Sequence, residues 1–208
     1  MVTIKTIAIT GMVAVALPAS ALAASFVASA GLLNANDTLT WAQLGADGTA
    51  VPNPSVVTSV AGRTVTLSKA TGHGFVSSAG SGYGPMYAPG ERLYLTDDGF
   101  GNNGAPLTFV FAQDISGFGV VCDPDYYSSG FAGTISAYDA ADNLLGNFAF
   151  SVSAQQQYKQ VFAGVSDTSP DIRRVVIDGT SAQALPEDFA IGTVLIMADR
   201  IFANGFEP

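Results

Sequence analysis

The sequence predicts an all-β protein, an antiparallel two-sheet β-sandwich of the jelly-roll kind, behind an N-terminal signal peptide. Three observations carry the prediction. Helix-favouring charged residues are scarce, with three Lys and three Glu in 208 residues, while Gly, Ser, Thr, Val and Phe abound. Apolar and polar residues alternate with period two in segment after segment. Clusters of Gly, Asp, Asn, Pro and Ser punctuate those segments.

At the start, a basic residue, Lys5, precedes an apolar run from Thr6 to Leu17, and Pro18 leads into Ser20-Ala21-Leu22-Ala23. That is the three-part pattern of a secretory signal with an Ala-x-Ala cleavage site. The run is shorter than the ~20 apolar residues that a bilayer span needs. Cleavage after residue 23 leaves roughly 185 residues, enough for one domain with its own core and tight for two. The expected organisation is therefore residues 1–23 as signal, 24–198 as a single sandwich and 199–208 as a tail. The expected compartment is extracellular or periplasmic, with no membrane span in the mature chain.

Along the domain, Leu39 and Trp41 alternate with Thr38 and Thr40, and Val65 and Leu67 with Thr64, Thr66 and Ser68. Leu93 and Leu95 repeat the pattern, as do Leu107, Phe109 and Phe111, then Phe148, Phe150 and Val152, and finally Phe189, Ile191 and Leu195. Each reads as a strand with one face on a core. The clearest unit is a hairpin in which Thr134–Tyr138 turns through Asp139–Asn143 into Leu144–Val152. The glycine-rich, aromatic stretch from Gly72 to Gly90 reads as a long surface loop. Counting alternating segments gives roughly nine to twelve strands.

The whole chain carries a net charge of −9, and loss of Lys5 makes the mature chain one unit more negative. Such a balance offers phosphate backbones nothing to replace their counterions, so nucleic acid is excluded as a partner. The single cysteine, Cys122, allows no intrachain disulfide. It is either a reactive thiol or intermolecular bridge, or a small buried hydrophobe in the strand-like Gly119–Cys122 run, and the last reading suits how free cysteines pack.

Asp37-Thr38-Leu39-Thr40-Trp41-Ala42-Gln43-Leu44-Gly45, Asp125-Tyr126-Tyr127, Ala137-Tyr138-Asp139-Ala140, Asn143-Leu144-Leu145-Gly146, Phe162 to Asp167, Ile172 to Ile177 and Asp188-Phe189-Ala190-Ile191 together resemble a family of secreted bacterial β-sandwich proteins. Many of its members carry the sorting tail known as PEP-CTERM. The resemblance implies the same fold and no assigned reaction. Two departures stand out. The sorting tail is absent, and Gly192-Thr193 occupies a place where such proteins often carry an acidic pair. The terminus Asp199-Arg200-Ile201-Phe202-Ala203-Asn204-Gly205-Phe206-Glu207-Pro208 instead resembles short Gly-Phe-Glu tails of other exported proteins, and reads as a sorting address or as a last strand.

Candidate chemistry is sparse. His73, between glycines, is the only imidazole; no G-x-S-x-G elbow exists, and one His with one Cys cannot build a zinc site. Calcium is the cofactor that the residue supply suits, because it takes oxygen ligands. Its candidate ligands are Asp97, Asp98 and Asn102 in one loop and Asp123 and Asp125 in another, although such loops also form ordinary turns. Tyr83, Tyr87, Tyr126 and Tyr127 sit in loop contexts where exposed rings would stack on sugars; the competing reading has them packed over sheet edges. The expected function is thus non-enzymatic: extracellular binding or surface and matrix structure, with polysaccharide as the partner class. The alternative is a glycoside hydrolase-like enzyme on the same sandwich, using two of the scattered carboxylates.

Overall fold

The computed structural model describes residues 24–80, 83–97, 106–124, 131–153, 160–181 and 188–198. The signal segment 1–23 and the tail 199–208 lie outside the described residues. In chain order the elements are β1 (Ser25–Val27), α1 (Ala30–Leu33), β2 (Asp37–Leu39), a 3-10 turn at Trp41–Leu44, β3 (Ala50–Val51), β4 (Ser55–Thr58) and β5 (Thr64–Lys69). There follow β6 (Gly74–Ser78), β7 (Arg92–Leu95), β8 (Leu107–Ile115), β9 (Gly117–Pro124), β10 (Phe131–Tyr138) and β11 (Leu144–Val152). The chain closes with β12 (Val161–Ser166), β13 (Ile172–Ser181), β14 (Phe189–Ile191) and β15 (Val194–Met197).

These strands form two antiparallel sheets. One runs β1-β12-β9-β14-β7-β6-β3, with β15 pairing both β9 and β2; the other runs β11-β10-β13-β8-β5-β4. Their inner faces meet in one core that draws Leu39, Val120 and Ile191 from the first sheet and Val65, Phe109 and Ile135 from the second. Across it the Phe109 and Phe118 rings lie 4.8 Å apart. The all-β, two-sheet prediction therefore holds. Cys122 is fully buried in β9, and burial pushes its thiol pKa far up. That is the inert, space-filling role.

The sheets differ from the sequence reading in four places. The described residues hold fifteen strands, more than alternation alone finds, because β1, β3 and β14 are only two or three residues long. Gly74–Ser78, inside the expected long loop, is a strand between β3 and β7. Leu39 ends β2, and Trp41 starts a 3-10 turn that drives its ring into the core. The expected last strand is broken: β14 and β15 both pair with β9, but Gly192 and Thr193 interrupt them. At that break β14 turns to β7 and β15 to β2.

The first sheet is covered on its outer face too. Leu33 of α1 packs with Val27 and Phe162 on one part of it, and residues 79–80 and 83–91 lie over another. The cause is in β9, whose GFGVVCDP sequence is buried at nearly every position, as expected of a strand sandwiched from both sides.

Candidate functional site

The site assembles where residues 79–80 and 83–91 fold back over β9, β14 and β7. Its base is closed by Ala79 N–H donating to the Glu91 carbonyl at 2.8 Å and Gly90 N–H to the Ala79 carbonyl at 3.0 Å. Gly90 turns the chain at a φ of 77°, a left-handed value suited to glycine. Beyond the base, Tyr87 drops onto the outer face among Ala79, Leu93 and Ala190 and is 5% exposed. Its hydroxyl lies 3.0 Å from the Ala190 carbonyl and 3.2 Å from that of Val121. Burial, and after it the neighbouring Cys122, Asp123 and Glu91, push the Tyr87 pKa well up. Tyr83 stands against Tyr87 edge to face, with ring centroids 6.0 Å apart, and stays half-buried, its hydroxyl 3.4 Å from the Ser77 Oγ that accepts from it.

Two polar side chains hold the loop from beneath. Asp123 is 2% exposed, and its Oδ2 faces the Gly84 N–H at 3.5 Å. Gln160, 8% exposed, accepts the Met86 N–H at 2.8 Å through Oε1 and turns its amide donor to the Asp123 carboxylate. Desolvation lifts the Asp123 carboxyl to about 6, with the Gly84 N–H and the nearby Gln160 side chain holding the rise back. Glu91 fixes the other flank: its Oε1 accepts from Thr193 N–H at 2.7 Å and Thr193 Oγ at 2.8 Å, and its Oε2 accepts from Ala88 N–H at 2.9 Å.

Tyr87 separates two hollows. One, of about 340 Å³, is lined by Ala79, Gly80, Tyr83, Gly84, Pro85 and Pro89. The other, of about 210 Å³, lies between the loop and α1 and is lined by Ala30, Met86, Glu91, Phe162, Gly192 and Thr193. The arrangement gives the hollows aromatic walls in Tyr83, Tyr87 and Phe162, with Asp123 and Gln160 supporting the loop and lining neither.

Of the residues expected from sequence, Tyr83, Tyr87 and Asp123 come together here. Tyr87 takes the sheet-packing role rather than that of an exposed platform, because the outer face beneath it is apolar. Asp97 stands elsewhere, half-buried and two residues past Leu95, which pairs with Ala190 at the same level as Asp123. Asp98, Asn102, Asp125, Tyr126 and Tyr127 lie outside the described residues. Among the described residues no group of three or more His, Cys, Asp or Glu side chains gathers as a metal site. His73 packs its ring edge on Phe75 at 4.9 Å, and its carbonyl accepts from the buried Lys69 ammonium at 2.6 Å. Sequence reasoning missed Glu91, whose acid after Pro89-Gly90 was a usable signal, and Gln160, which nothing in its Gln-rich surroundings singles out.

Fold and site together define an all-β sandwich with an aromatic loop folded on one outer face. No protein-family model matches the chain, and no curated protein matches it. Among solved structures it is similar to a DUF4465 family protein from Bacteroides caccae, at 12% identity and a TM-score of 0.42, over 83% of this chain and 99% of that one. It is also similar to the enzymatically active domain of a tailspike protein from bacteriophage CBA120, at 12% identity and a TM-score of 0.33, over 66% of this chain and 19% of that one. A third is an arabinose-bound MgGH51 α-L-arabinofuranosidase, at 13% identity and a TM-score of 0.39, over 76% of this chain and 24% of that one.

Proposed function

We propose that this is an exported, non-catalytic binding protein in which the hollow beside Tyr83, in the loop that Asp123 and Gln160 hold from beneath, takes a neutral sugar or polyol unit of an extracellular polysaccharide. The observation that carries the reading is the hollow of about 340 Å³ between the Tyr83 and Tyr87 rings and the loop backbone. The half-buried Tyr83 ring supplies an apolar surface for the sugar face. Export is supported by the basic, apolar and small-residue order of residues 1–23.

Titration of the purified protein against a panel of neutral and acidic glycans tests this. Binding that is lost in Tyr83→Ala, with the fold retained, is the expected result; no binding to any glycan removes the sugar reading. For calcium, the expectation from sequence, a lower melting temperature in chelator would assign a bound ion, since an ion that binds the folded state stabilises it by mass action.

A hydrolase is the second reading, favoured by the Asp123 carboxyl at about 6, which keeps its proton close to neutral pH as a general acid must. Its partner would be Glu91, but both Glu91 oxygens already accept hydrogen bonds from Thr193 and Ala88. Binding is therefore placed first. Turnover of a polysaccharide that disappears in Asp123→Asn would reverse the order.

A further inference from the structure

We infer that β11 is a self-association edge, on which a second copy of this chain pairs antiparallel to join two six-stranded sheets into one. Strands that end a sheet expose unpaired N–H and C=O groups and invite another strand unless something blunts them. Among the described residues the other edges are blunted. β1 and β2 have three residues each, β3 has two, and β4 has four and follows Pro52 and Pro54, which have no N–H to donate. The β2 edge is further covered by Val60 N–H, which donates to the Thr38 carbonyl at 2.8 Å.

The β11 edge has none of these devices. It runs for nine residues, LLGNFAFSV, without a proline or a charged side chain, in a chain of net charge −9. Its neighbour β10 occupies one side throughout. On the other side, Ala24 N–H takes the Leu145 carbonyl at 3.2 Å, and among the described residues no strand pairs with the run from Gly146 to Val152. Apolar groups gather beside that run: Leu144 is 43% exposed and Phe26 36%, with the Phe26 ring 6.0 Å from that of Phe148.

The occupant is a second copy because the run matches itself. Antiparallel pairing about its middle residue, Ala149, sets Phe148 opposite Phe150 and Asn147 opposite Ser151 of the second copy. Inner apolar residues then meet inner apolar residues, and outer small polar residues meet their own kind, as a two-fold interface requires. The lack of charge on β11 lets two acidic molecules meet at this edge without like charges face to face.

Light scattering on the full chain at rising concentration, up to about 1 mM so that weak contacts report, tests the pairing. The mass should approach twice that of the monomer. Ala149→Lys, which sets two ammonium groups opposite each other on the axis, should return it to monomer, whereas Val60→Lys, the same charge change at a site 79% exposed on the β4–β5 turn, should leave it dimeric. Ala149→Cys should cross-link two chains under mild oxidation, since opposed Cβ atoms lie about 4.5–5.5 Å apart and the native Cys122 is buried. A monomer throughout the range, or a dimer indifferent to Ala149→Lys, overturns the inference.

Discussion

The indole N–H of Trp41 donates to the Gly192 carbonyl at 2.8 Å, inside the core and across 151 positions of sequence. The break between β14 and β15 takes Gly192 out of regular pairing. Its N–H still reaches the Val121 carbonyl at 3.2 Å, while its own carbonyl is met by a side chain from the turn after β2. Because β14 goes to β7 and β15 goes to β2, the first sheet splits there, and Trp41 fills the split, its ring 5.4 Å from that of Tyr94. The space above Gly192 is equally constrained, since a Cβ there would come 2.7 Å from Tyr87 Cε1 and 2.8 Å from Glu91 Oε1.

Trp41→Phe should therefore cost more than its small loss of apolar area. It leaves the buried Gly192 carbonyl without a donor, a penalty of about 1–3 kcal/mol. Urea unfolding followed by far-ultraviolet circular dichroism measures it as a lower midpoint at unchanged slope. An unchanged midpoint would mean that water or another donor replaces the indole.

A second tie joins the two sheets. Asp37, on β2 of the first sheet and 6% exposed, accepts from Thr38 N–H at 2.8 Å, Ala61 N–H at 2.9 Å and the Ser59 hydroxyl at 2.5 Å; its Oδ2 lies 3.5 Å from Arg63 Nε. Three of these partners belong to the turn between β4 and β5 in the second sheet. Asp37→Ala should cost about 3–5 kcal/mol, the usual result of removing one partner from a buried charged network. Asp37→Asn, which keeps some acceptors, should cost less. Equal losses in the two variants would show that packing, not the charge, matters.

Alternation made the second sheet legible because one of its faces meets water. The alternations over Thr64–Ser68 and Leu107–Phe111 read as half-buried strands, and they lie within β5 and β8. The Asp139–Asn143 hairpin turn also stands, with Asp139 accepting from Ala141 N–H and Asn143 N–H, both at 2.8 Å. Where the first sheet is covered on both faces, β9 lacks clean alternation, and the alternating Leu93 and Leu95 of β7 face the outer cluster while Tyr94 faces the main core, so the outer cover went unread. That is why Tyr87, flanked by loop-forming residues, looked exposed. The continuous apolar runs Leu93–Leu95 and Phe118–Cys122 were the available signal that some segment must lie over them. Gln160 and the break at Gly192 depend on which strands become neighbours, and no local pattern encodes that.

Asp123 gives a pH signature. Its folded pKa of about 6 stands above its ordinary value of 3.8, so between those values the folded state holds a proton that the unfolded chain has released. Stability from this group thus falls as pH rises through that window, and the full penalty is present above pH 6. Asp123→Asn removes the penalty. Above the window it should raise the melting temperature by roughly 2–4 °C, equivalent to about 1 kcal/mol once solvent screening is allowed for. At pH 4 the gain should vanish. Melting curves of both proteins from pH 4 to 8 decide it; a constant difference would mean that the carboxyl titrates alike in both states.

The two loop tyrosines separate packing from ligand contact. Tyr87→Phe keeps the ring but removes the hydroxyl from the Ala190 and Val121 carbonyls, so it should lower stability by about 1 kcal/mol or more. It should alter glycan affinity only through loosening of the loop. Tyr83 is half-buried and lines the larger hollow, so Tyr83→Ala should lower stability less than Tyr87→Ala does and abolish glycan binding. Tyr83→Phe should restore most of that binding if the ring face makes the contact, because stacking needs the ring and not the hydroxyl. Calorimetric titration of the variants, paired with their melting curves, reads both effects. Binding that follows stability across the variants, with no separate loss at Tyr83, would reduce the loop to a cover for the outer face of the sheet.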